Sequence, residues 1–186
     1  MNSDPAMPLL TIVAYAVAAI ITLIAAVTDT RSQRIPNWLT FPVLLLAPVV
    51  HTVFASWTGL MNSLLGILVC GLLPYLAFRQ GGMAGGDVKL FAAIGAVMGA
   101  ALGIQVEFYA VIAAGILALG QLALRGKLLQ TLGNTFYVAL NPVLPPKWRR
   151  RIARESMTRT RLGAPIFVGT VVAILLGMPR SVWGLS

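Results

Sequence analysis

The chain is poor in most of what a soluble enzyme uses for chemistry. Among its 186 residues there are five acids, one cysteine and one histidine. A single cysteine, Cys70, can build neither a disulfide framework nor a cysteine-rich zinc site within one chain, and no metal site is expected. Charged residues make up only 10% of the chain against 58% hydrophobic, which is a membrane-protein composition. The net charge of +9 does not point to nucleic acid, because the basic residues lie in short connections between apolar runs. Seven of them fall from Lys147 to Arg161. Lysine and arginine so placed serve topology and contact with anionic lipid headgroups.

What is present is apolar length. A helix crosses a hydrocarbon core of roughly 30 Å with about 20 apolar residues. Six stretches approach or meet that: Leu9–Val27, Leu39–Ala55, Leu60–Phe78, Leu90–Ile104, Val106–Leu124 and Leu162–Met178. The expectation is an all-α polytopic membrane protein of about six transmembrane helices, one membrane-embedded domain over residues 1–186, with a turn near Gln105 between the fourth and fifth. The first stretch is read as a retained helix, since "MNSDPAMP" has no basic region ahead of it.

Charge orients these helices. Arg31 and Arg34 follow the first, Arg79 and Lys89 flank the loop after the third, and the connection Arg125–Arg161 is strongly basic. The N-terminus, Ser56–Gly59 and the Gln105 turn carry no lysine or arginine, and the C-terminal tail has only Arg180. The positive-inside rule then puts both termini outside. The basic cytoplasmic loop at about 125–161 combines prolines, Trp148 and arginines, and reads as an interfacial segment on anionic headgroups, or as a docking surface for a partner.

Acids are costly in such a protein, so their positions are informative. Asp4, Glu155 and Glu107 have solvated readings, in the tail, the basic loop and the outer turn. Asp29 and Asp87 remain, each on the expected cytoplasmic side, one at a helix exit and one at a helix start. Each alone reads as a helix-end residue; together they favour a shared site. Gly81, Gly82, Gly85 and Gly86 permit close approach of an extended peptide, Pro36 and Asn37 read as the start of the second helix, and Lys89 either favours an ionised Asp87 or anchors headgroups. His51 reads as a hydrogen-bonded structural residue, and Gly95, Gly99 and Gly103 have the small-xxx-small spacing of close helix packing.

The two turns, "DTRSQRIPNWLT" and "MAGGDVKLFAAIG", resemble the paired aspartate motifs of the prepilin peptidase family, membrane aspartyl peptidases of the Gly-x-Gly-Asp type that process type IV pilin precursors. "RLGAPIFVG" is similar to the family's proline-containing start of its last helix, and Ala84 stands where the motif places its first glycine. The resemblance implies Asp29 and Asp87 as the catalytic pair, with Arg31, Arg34, Pro36, Asn37, Gly85, Gly86 and Lys89 shaping the site or binding substrate. One carboxyl would take a proton from water and the other would donate to the developing oxyanion, with no metal or other cofactor; which is which stays open. Implied substrates are prepilins and pseudopilins with short cytoplasmic leaders, and other pilus assembly proteins are implied partners. No Cys-x-x-Cys domain precedes the helices, so the chain looks like the short form serving tight-adherence (Flp) pili in a bacterial inner membrane, without N-methylation. The competing readings are a small proton-coupled transporter and a non-catalytic scaffold of pilus assembly.

Overall fold

The computed structural model describes residues 6–80, 82–124 and 162–177. The expectations for Asp4, Gly81, Glu155, Arg180 and the basic connection at 125–161 lie outside these residues. Every described element is a helix: α1 (Ala6–Ser32), α2 (Asn37–Arg79), α3 (Gly85–Leu124) and α4 (Gly163–Gly177). Met1–Ala113 with Arg159–Ser186 forms one compact unit and Ala114–Thr158 a second, whose described part is the end of α3.

Leu10–Ser32, Asn37–Arg79 and Gly85–Gly120 are long and apolar enough to cross a membrane, and α4 is a shorter apolar helix of 15 residues. At 1.5 Å per residue, the 43 residues of α2 would make a straight rod of ~65 Å, about twice a hydrocarbon core. The chain does not run straight. Ala55 and Ser56 leave helical geometry, with Ser56 at φ +55°. Beyond that break, a Cβ on Gly59 would strike the carbonyl oxygen of His51, eight positions back and ~12 Å away in a straight helix. α2 therefore doubles back on itself.

α3 does the same at Gly99, whose φ of +77° belongs to the left-handed region that glycine enters at little cost. A Cβ on Gly103 would lie 3.1 Å from the Cα of Gly95. The reversal thus falls at Gly99 and not near Gln105. Hydropathy misplaced it because no polar residue interrupts the apolar run there, whereas the backbone needs only one residue at positive φ. Glu107 is corrected with it: two turns beyond Gly99 it lies inside a helix, 9% exposed, and is not a solvated turn residue.

A helix that stops inside an apolar unit strands its last carbonyls, which need donors. His51 Nε2 donates to the Val97 carbonyl at 2.9 Å and Ser63 Oγ to the Ala96 carbonyl at 2.7 Å. The structural reading of His51 is thereby given its partner.

Packing between α2 and α3 rests on absent side chains. A Cβ on Gly66 would meet the Gly95 carbonyl, and one on Gly95 would lie 2.9 Å from the Cβ of Cys70, so the backbones are in contact. α1 and α4 run antiparallel: Asp29 lies beside Gly163 at one end, and the Tyr15 hydroxyl lies 3.5 Å from the Gly177 carbonyl at the other. Leu90, Ile94, Val106 and Ile166 fill the core between these helices, while Leu45, Val53, Trp57 and Leu68 point outward as lipid solvent requires.

Gly66→Leu is expected to lower stability by about 1–3 kcal/mol or to prevent accumulation, because side-chain volume enters a backbone contact. Thermal unfolding in detergent and the membrane-inserted amount measure it; an unchanged midpoint would contradict the contact.

Candidate active site

Asp29 lies in the last turn of α1 and Asp87 in the first turn of α3, with side chains 7% and 3% exposed. α1 ends at this level because Gln33 takes φ +55°, its N–H still donating to the Asp29 carbonyl at 3.0 Å. Pro36 follows in extended geometry (φ −73°, ψ 142°) and caps the start of α2. The chain leaves one helix and starts the next within the same turn, which keeps residues 33–38 beside Asp29.

Asp87 is the third residue of α3. Its Oδ2 accepts the Ala84 N–H at 3.3 Å while its own N–H donates to the Ala84 carbonyl at 3.1 Å. This reciprocal pairing satisfies donors that the first turn leaves free. Ala84 is not among the positive-φ residues of the described chain, so alanine takes this backbone path without strain. Asp29 is held from a distant segment: its Oδ2 accepts the Gly163 N–H at 3.0 Å, in a buried bond. Both carboxylates thus sit at helix N-termini, Asp87 at that of its own helix and Asp29 at that of α4, where partial positive charge favours an anion.

The two acids line one cavity of about 610 Å³. A carboxylate can accept about four hydrogen bonds. Each of these has one donor among the described residues, leaving capacity for a water or a peptide group in the cavity. Among the described residues, no three His, Cys, Asp or Glu side chains group as metal ligands.

Of the other residues singled out in the sequence, Arg34, Pro36, Asn37, Gly85 and Gly86 line this cavity. Gly86 leaves room for Ile35, whose Cβ would lie 3.1 Å from a Cβ at 86. Arg31 is exposed and does not line it. Lys89 turns from Asp87 toward α2: its Nζ donates to Asn37 Oδ1 at 2.9 Å and stands 5.0 Å over the Phe41 ring. It ties the starts of α2 and α3 together rather than serving as a counter-ion to Asp87. Gly163 and Trp38 were not legible as site residues. Gly163 acts through its amide, which every residue except proline has, and only its place just before Pro165 at a helix start marks it.

A model of the type IV leader peptidase family matches residues 16–119. A prepilin leader peptidase/N-methyltransferase of Bacillus subtilis is 33% identical over 93 residues, 48% of this chain and 37% of that protein. A preflagellin peptidase of Methanococcus voltae is 28% identical over 90 residues, 46% of this chain and 38% of the relative. A prepilin peptidase, EppA, of Methanocaldococcus jannaschii is 31% identical over 82 residues, 44% and 22% of the two chains. The chain therefore spans less than two fifths of the length of these relatives. No solved structure matches it.

Lys89→Met keeps the aliphatic stem and removes the donor to Asn37. It should cost about 1 kcal/mol of stability and leave the chain inserted, since the hydrogen bond to Asn37 and the cation over Phe41 that it removes are both at exposed groups. Thermal unfolding of the purified variant measures this; a fully unfolded variant would show that Lys89 carries more than a tie.

Proposed function

Because the chain belongs to the type IV leader peptidase family, we propose that it is an aspartyl endopeptidase that removes the leader from prepilin-like precursors, with Asp29 and Asp87 as its catalytic pair. The observation that carries this reading is the convergence of two buried carboxylates from separate helices on one cavity that neither fills.

The chemistry follows from one shared proton. Two nearby carboxyls in a poorly solvated site do not readily both ionise, so the pair holds one proton between them. The ionised member takes a proton from water as the water oxygen attacks the scissile carbonyl and later passes it to the leaving amine; the protonated member donates to the oxyanion. Gly85 and Gly86 line the cavity beside Asp87, where an unwound peptide strand would lie.

The substrate class follows from depth. Arg31, Arg34, Arg79 and Lys89 lie at the same helix ends as the pair, and the positive-inside rule assigns those ends to the cytoplasm. With α2 and α3 each folded at its break, the chain crosses about six times and both termini lie outside. A precursor with a short cytoplasmic leader and an apolar helix in the bilayer presents its junction at that level. We place the protein in a bacterial inner membrane, acting on Flp-type pilins and pseudopilins beside other pilus assembly proteins, with its basic connection at 125–161 on anionic headgroups.

Coexpression with a tight-adherence prepilin tests this. Asp29→Asn and Asp87→Asn should each slow conversion of precursor to mature pilin by at least ~100-fold without loss of insertion. Efficient processing by either variant leaves the scaffold reading in its place. Arg34→Gln should slow processing about fivefold, on the order of 1 kcal/mol, whereas Arg31→Gln should not, because only Arg34 lines the cavity. Equal effects of the two would remove Arg34 from the site.

A further inference from the structure

We infer that the backbone amide of Gly163 is the positioning group that holds Asp29 as the ionised, water-activating member of the pair, leaving Asp87 as the proton donor. This rests on the peptidase reading above. Asp29 lies in the last turn of α1, where the partial negative charge of that helix end opposes a carboxylate. The compensation comes from α4. Its first residue, Gly163, points an N–H at Asp29 Oδ2 over 3.0 Å in a buried bond. That N–H is one of the donors a helix start leaves unused, so the bond costs α4 nothing. The first turn is set by the Ile166 N–H bonding the Leu162 carbonyl at 2.9 Å.

Only glycine allows this approach. A Cβ at position 163 would lie 2.8 Å from the Asp29 Cβ and 3.0 Å from its Oδ2. Asp87 is held differently: among the described residues its donor is the Ala84 N–H of its own turn, at 3.3 Å. The shorter bond, from a separate helix, goes to Asp29; the longer one, from within its own turn, goes to the more buried Asp87, where an ionised carboxylate is less well compensated. In the hydrolytic step, the water oxygen bonds the scissile carbon, the water proton passes to Asp29, and the proton of Asp87 passes to the carbonyl oxygen. Collapse of that gem-diol intermediate breaks the C–N bond: the proton on Asp29 goes to the leaving amine, and one hydroxyl proton returns to Asp87 as the carboxyl product forms, which restores both acids.

The test deletes the N–H without adding an atom to the side chain. Glycolic acid in place of Gly163, introduced by nonsense suppression in the full chain, turns the amide into an ester. The expected result, on a prepilin substrate in detergent or liposomes, is a kcat lower by roughly tenfold to a hundredfold, as for a lost hydrogen bond to a charged group, with KM within about twofold. Lactic acid in place of Ala164, which removes the next amide of the same helix, should leave kcat near wild type. The inference is overturned if the 163 ester has wild-type kcat, if KM alone changes, or if the 164 ester costs as much. Should the 163 ester fail to insert, Gly163→Pro and Gly163→Ala are compared: both crowd Asp29, but only proline removes the N–H, and a kcat no lower for proline than for alanine overturns the inference. Asp29→Asn and Asp87→Asn are measured alongside. If either is active, the peptidase reading has failed; if both are inactive while the 163 ester is fully active, only the role of Gly163 has failed.

Discussion

A carboxylate withdrawn from water costs several kcal/mol unless fixed donors replace the water it loses, and this unit withdraws two of them at one end. Asp29 and Asp87 are each buried, and each is met by a backbone N–H from a helix start. Helix starts are suited to the task, since their first amides are unbonded and their dipoles favour negative charge. Meeting that need brings α4 against the end of α1 and winds α3 back through Ala84, so the positions of three helices are tied to the two acids.

The opposite end answers the same rule for neutral groups. Folding α2 and α3 into hairpins breaks helical hydrogen bonds at Ala55, Ser56 and Gly99, where bilayer surroundings would leave carbonyls without partners. His51 and Ser63 supply donors to Val97 and Ala96, and the backbone contact of Gly66 with Gly95 sets the register between the hairpins. That register matters at the far end. A shift of one turn, ~5.4 Å, would carry Asp87 out of the level of Asp29.

Much of the site could be read from the chain because acids are scarce in it. With five in all, an aspartate beside Ile-Pro-Asn and another beside paired glycines stand out, and alternating basic connections put both at one level. Arg34, Pro36, Asn37, Gly85 and Gly86 do line the cavity, for they are chain neighbours of the two acids. Lys89 misled because closeness in sequence says nothing of direction: two positions along a helix turn a side chain about 200°, here toward Asn37 and Phe41. Glu107 was misjudged for a related reason. Polarity marks turns in water, whereas within an apolar run a glycine at positive φ suffices.

What the sequence by itself determined is whatever depends on composition and on local turn chemistry: an apolar helical chain, the stops at Pro36 and the glycines, and which two acids to compare. The path of the turn at Ala84 does not belong here: that it needs no residue at positive φ is visible only in the folded backbone. Only the tertiary structure decided that the hairpin turns at Gly99, that Lys89 faces α2, and that an amide 134 positions away holds Asp29. The reason is physical. A backbone N–H is common to nearly every residue, so its role comes from where packing puts it, and packing is a property of the whole unit.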